Sequence, residues 1–64
     1  MQINKHIQNL RMARGLTQRD LADMLGVSVQ AVSKWENSKC CPDIQLLPSI
    51  AKIFNVTVDR LLGD

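Results

Sequence analysis

Residues Gln18 to Trp35, QRDLADMLGVSVQAVSKW, read as two short helices joined by a tight turn at Gly26. The apolar positions are Leu21, Leu25, Val27, Val32 and Trp35, and small Ala22 comes directly after the first of them. Ala22 has no bulk, so two helix axes can approach closely where they cross. Gly26 comes after Leu25, where the first helix must stop, and Gly takes the left-handed conformation there without steric cost. Ser28 is placed to cap the next helix by accepting a hydrogen bond from a free backbone N–H at its start. The pattern predicts a helix-turn-helix, whose second helix is held out from a small core so that its outer face can enter a DNA groove.

Outward from this stretch the chain also reads as helix. Ile7 and Leu10 give an apolar face to a first helix from about Ile3 to Arg14, ended by Gly15. Thr17 caps the second helix, with Asp20 three residues on as the shorter counterpart of a capping-box Glu. The third helix spans about Ser28 to Asn37. Residues 38–43, SKCCPD, form the longest irregular stretch, where Pro42 disfavours helix at Cys41 and Asp43 caps the next helix. Leu47, Ile50, Ala51 and Phe54 share one face of that fourth helix, about Ile44 to Phe54. Pro48 lacks the N–H for a bond back to Ile44, which predicts a 3₁₀ first turn or a bend. Asn55 is a left-handed stop, and Thr57 caps a last helix from Val58 to Leu62. The expectation is one all-α domain over residues 1–64, with Leu61 in the core and Leu62 or Val58 available to a second copy.

Composition narrows the function classes. Trp35 and Phe54 are the only aromatic residues, so the core must be aliphatic. A chain of 64 residues leaves no room for a deep substrate pocket. Residues 1–42 carry a balance of +3 and residues 43–64 one of −1, which puts the basic excess with the helix-turn-helix. No apolar run approaches the ~18 residues of a membrane span, and MQINKHIQNL lacks the apolar core of a secretory signal. A cytoplasmic protein is expected. Cys40 and Cys41 agree, because adjacent cysteines make no long-loop staple and lack C-x-x-C spacing. They read as reduced loop thiols, with redox sensing or metal capture by a dimer as the alternative. His6, the sole histidine, reads as an exposed helix residue without a nucleophile beside it. No catalytic residue, cofactor, metal or small-molecule site is expected.

On the third helix Gln30, Ser33, Lys34 and Asn37 recur at three- and four-residue steps and share one face, while Val32 and Trp35 point inward. Ser28 and Val29 sit at the N-terminal tip, the end that goes deepest into a major groove. Gln pairs bidentately with adenine, Val packs on a thymine methyl, and Lys reaches guanine or a phosphate. Gln30 is the first candidate for sequence choice. The competing reading of this face is a plain solvated surface. Gln18 lies where free N–H groups at a helix start favour an anion, so it is a candidate phosphate contact. Asn37 and Lys39 are candidates at the far end of the third helix. Arg11, Arg14 and Arg19 read either as phosphate contacts or as solubilising charge.

The string LTQRDLADMLGVSVQAVSKWENSK resembles the Cro/C1-type (XRE-type) helix-turn-helix regulators of bacteria and their phages. Leu10-Arg11, Gly15-Leu16-Thr17-Gln18, Trp35-Glu36-Asn37, Ile50-Ala51 and Phe54-Asn55-Val56 extend the likeness over nearly the whole chain. The resemblance implies a five-helix, lambda-repressor-like bundle that binds pseudo-palindromic operators as a homodimer. It places base contacts at Ser28, Val29, Gln30, Ser33 and Lys34, and phosphate contacts at Gln18 and Asn37, to which Lys39 and Arg19 are added as candidates. It also implies an ion pair between Arg11 and Glu36 that ties the recognition helix to the bundle. Ser38 departs from the pattern, standing where many members have Gly.

The leading expectation is thus a sequence-specific DNA-binding transcriptional regulator, of the repressor type. The alternative is a protein-interaction module on the same scaffold, antitoxin-like or a regulator of a partner protein, because fold does not fix function. An enzyme is the third class and is not the reading adopted.

Overall fold

The computed structural model describes residues 3–63. Among them all regular structure is helical: α1 (Ile3–Ala13), α2 (Gln18–Leu25), α3 (Val29–Glu36), a 3₁₀ turn (Ile44–Leu46), α4 (Leu47–Ile53) and α5 (Val58–Leu62). Side chains open most of these elements. Thr17, Ser28 and Thr57 are extended N-cap residues whose hydroxyls accept from Asp20, Ala31 and Arg60 N–H groups. Asp43 does the same for Gln45 at the 3₁₀ turn.

The expected fourth helix is split by its proline. Pro48 stands in the first turn of α4, where an absent N–H costs nothing, and the turn before it tightens to 3₁₀. The first helix ends at Ala13, one residue short of Arg14, because Gly15 takes φ 68°. The third is Val29–Glu36, with Ser28 and Asn37 as its caps.

One closing motif recurs at the ends of α1 to α4. After a residue with positive φ (Gly15, Gly26, Ser38 or Asn55) comes an N–H that reaches back five residues: Leu16 to Arg11, Val27 to Ala22, Lys39 to Lys34 and Val56 to Ala51. This is the Schellman closure, which satisfies carbonyls left over at a helix end and places the next residue over the last turn. Leu16, Val27 and Val56 use that position to pack on the core. Lys39, exposed, does not.

The core is a single cluster. Ile3 and Ile7 of α1, Leu21 and Ala22 of α2, Val32 and Trp35 of α3, Leu47, Ile50, Ala51 and Phe54 around α4, and Leu61 of α5 are all buried. Leu10, Leu25, Val58 and Leu62 are half-buried against it. Trp35 plugs the junction between α3 and the rest at 4% exposure, so the inner face of α3 is locked into the bundle.

One polar residue of α1 and one just past its end anchor distant helix ends. Arg14, readable from sequence as mere solubilising charge, donates from Nη2 to the carbonyl of Phe54 at 3.0 Å. His6, expected to be exposed, is half-buried with Nδ1 3.0 Å from the carbonyl of Leu61. A carbonyl at a helix C-terminus has no intrahelical partner, which explains why α5 recruits this ring.

The capping box makes a pH prediction. Asp20 accepts from the backbone N–H of Thr17 at 3.0 Å, and that bond, with the Thr17 side-chain contact, holds its carboxyl below the usual value of 3.8. A depressed folded value contributes stability above the unfolded value, lost as pH falls through the folded one. Asp20→Asn is therefore expected to flatten the acid limb of melting temperature against pH, leaving the neutral region nearly level. An unchanged acid limb in circular dichroism melts would remove the box from the account.

Candidate nucleic-acid interface

The two faces of α3 are in opposite states. Val32 and Trp35 are locked in the core, while Gln30, Lys34 and Asn37 stand exposed and Ser33 half-exposed on the other side. Ser28 is exposed at the tip, its Oγ accepting from Ala31 N at 3.1 Å, which leaves the hydroxyl hydrogen free. Val29 is half-buried and packs partly on the core, so only part of its side chain is open for a methyl contact. Among the described residues, no hydrogen bond or ion pair engages the side chains of Gln30 or Lys34. Asn37 turns back on α3, donating from Nδ2 to the carbonyl and hydroxyl of Ser33 at 2.9 and 3.2 Å.

At the C-terminal end of α3 three helices meet on one carboxylate. Glu36 Oε2 accepts from Arg11 Nε at 2.7 Å, and its Oε1 accepts from Arg11 Nη2 at 3.0 Å and from Gln18 Nε2 at 3.1 Å. Arg11 Nη1 donates to the carbonyl of Leu16 at 2.7 Å. The Arg11 and Glu36 side chains are 12% and 2% exposed, and the Glu36 hydrogen bond leads the causes that raise the Arg11 pKa above its ordinary value. A negative charge on the last turn of a helix opposes the helix dipole. Glu36 is tolerated there because Arg11 supplies a bidentate, charge-assisted partner.

This cluster also sets Gln18. Its amide is held beside Glu36, next in sequence to Asn37, at the start of α2, where the N–H groups of the first turn lack intrahelical acceptors. One amide hydrogen serves Glu36 and the second is free. The candidate phosphate donors Gln18 and Asn37 are thus gathered around one end of α3, with Lys39 two residues beyond. Arg19 is exposed one residue along α2.

Asn4 is a member of this assembly that sequence reasoning missed. Its Nδ2 donates to the carbonyl of Trp35 and, at 3.4 Å, to that of Cys40. The available signal was spacing: Asn4 and Arg11 are two helical turns apart on α1, so both face α3. Cys40 and Cys41 are exposed and unpaired, and Pro42 after them is buried. Among the described residues no cluster of three or more His, Cys, Asp or Glu could hold a metal, and no helix is long and apolar enough to cross a membrane.

A two-helix unit projecting the polar face of its second helix from an aliphatic core defines a class, and a family model supplies the particular family. The model described as Helix-turn-helix matches residues 7–61, and the chain belongs to the helix-turn-helix family. It is 47% identical over 63 residues to the HTH-type transcriptional activator BcrR of Enterococcus faecalis, covering 98% of this chain and 31% of that protein. It is 32% identical over 63 residues to the cryptic phage CTXphi transcriptional repressor RstR of Vibrio cholerae, covering 98% of this chain and 56% of the relative. The antitoxin PezA of Streptococcus pneumoniae is 32% identical over 62 residues, covering 97% of this chain and 39% of its own length. The chain therefore spans only about a third to somewhat over half of these relatives.

Proposed function

We propose that this chain is the DNA-binding module of a cytoplasmic transcriptional regulator, which lays α3 in the major groove of an operator. The observation that carries the reading is the division of α3: an inner face and a C-terminal end fixed to the bundle, and an outer face of Gln30 and Lys34 left without hydrogen-bond or ion-pair partners among the described residues. Ser28, Val29, Gln30, Ser33 and Lys34 face base edges, with Gln30 making the bidentate choice. Gln18, Arg19, Asn37 and Lys39 take phosphates and set register. Two copies on a pseudo-palindromic site double the contacts and match the two-fold symmetry of the duplex. Repression results where the bound dimer blocks polymerase. With an activator (BcrR) and a repressor (RstR) both among the relatives, operator position decides the sign of regulation.

Selection from random duplexes of about 30 base pairs, at fixed near-physiological salt, tests this directly. Enrichment of an inverted repeat, with half-sites about one helical turn apart, is the expected result. Retention without sequence preference would sink it in favour of a partner protein on the same face, the reading to which the antitoxin relative gives some support. On the selected site, Gln30→Ala is expected to cost about 1–3 kcal/mol of discrimination at a single base pair while leaving the melting temperature unchanged. Equal relaxation at every position would show instead that Gln30 contributes only to general affinity.

A further inference from the structure

We infer that Cys40 and Cys41 form a chelating site for a monosubstituted trivalent arsenical, a compound with one carbon–arsenic bond and two exchangeable positions. Both thiols are exposed and unpaired, in consecutive residues of the loop after α3. They are poorly placed to oxidise onto each other, since Cα atoms of neighbouring residues lie ~3.8 Å apart, short of the ~4.4–6.8 Å that a disulfide accepts. The loop is held on both sides: Ser38 and Lys39 close α3, Asn4 reaches the Cys40 carbonyl, and Pro42 is buried. Two free thiols therefore stand on consecutive residues of an anchored surface loop.

Coordination number selects the ligand. A structural zinc site needs four protein ligands and a catalytic one three, and no third Cys, His, Asp or Glu joins this pair among the described residues. A three-coordinate centre served by two thiolates must bring its own third bond, and an organic trivalent arsenical does. With an arsine oxide, two arsenic–sulfur bonds form and the arsenic–oxygen bond breaks. The oxygen leaves with both thiol protons as one water, and arsenic stays trivalent. The second arsenic–sulfur bond closes a ring within one short segment, so it forms at high effective concentration and outlasts competition from free monothiols. Ring closure constrains the Cys40–Cys41 peptide, draws the Cys40 carbonyl from Asn4, and shifts Lys39 next to it. This last consequence rests on the DNA-binding reading; the thiol site does not.

Phenylarsine oxide is the probe, added to the whole chain under non-denaturing conditions and read by intact mass. The expected product carries one phenylarsenic unit and no free thiol, survives a large excess of glutathione, and is reversed by 2,3-dimercaptopropanol. Cys40→Ser and Cys41→Ser, both at exposed positions, should keep the wild-type melt and form only an adduct that glutathione strips. A wild-type adduct stripped as readily as that of either variant overturns the site. In a second arm the adduct should bind the selected duplex several-fold more weakly than the untreated chain. Equal affinity overturns the coupling to Lys39. An untreated chain that holds no duplex overturns the DNA reading instead, and the mass result still decides the thiol site.

Discussion

Glu36→Ala is expected to lower the melting temperature by about 15 °C or more, although it removes one surface-type residue from a small helix. Its carboxylate is 2% exposed and accepts three hydrogen bonds from two other helices. Truncating it leaves the Arg11 guanidinium, itself 12% exposed, with only the Leu16 carbonyl. Removing one partner of a buried pair costs about 3–5 kcal/mol, because the other charge stays desolvated and unpaired. In a domain this small each kcal/mol is worth roughly 4–8 °C. Arg11→Met should cost a similar amount by stranding Glu36 with Gln18 alone. Combining Arg11→Met with Glu36→Ala should recover part of the loss, since no charge is then left without its partner. Circular dichroism melts of the three variants check this. Single variants within two or three degrees of wild type, on the same scale, would mean that the pair is hydrated and tethers nothing.

The same network shows how far the sequence could be read. Thr17, Gly26, Ser28 and Thr57 act through their own local backbone, so residue type and position were enough to place them. Pro48 was equally legible, because a missing N–H cannot serve the interior of a helix and is harmless only in its first turn. Tertiary recruitment was not. His6, Arg14 and Asn4 each donate to or approach a carbonyl at the end of another helix, 31 to 55 residues away. Nothing in their neighbours announces this. Family resemblance brings Arg11 and Glu36 together, but no local pattern points from Gln18 to Glu36. Ser38 shows a further limit. It takes φ 61° where a Gly would do so freely, because the Schellman closure of α3 and the Asn4 contact around the loop fix the conformation first.

Binding to a selected operator is expected to weaken about 100-fold when salt rises from about 50 to about 200 mM, and Lys39 is the residue whose removal should show it most plainly. The structural reason is its position. Leu16, Val27 and Val56 occupy the same place in the closures of α1, α2 and α4, and all three pack on the core. An exposed Lys in the corresponding place after α3 contributes nothing to packing, and its N–H is fixed to Lys34 at 2.9 Å. That leaves a cation held beside the recognition helix. Arg19 is exposed in the first turn of α2, one residue after Gln18. Two such cations in each copy neutralise four phosphates in a dimer, and each released counterion contributes about 0.9 to the slope of log affinity against log salt. Lys39→Gln should therefore reduce the slope by about two, because both half-sites lose a contact, and should weaken all sequences alike. Gln30→Ala should leave the slope untouched and alter sequence choice. Fluorescence anisotropy over a salt series separates these effects. A slope near zero for the wild-type chain would show that phosphate does not drive its binding and would favour a protein ligand for the outer face of α3.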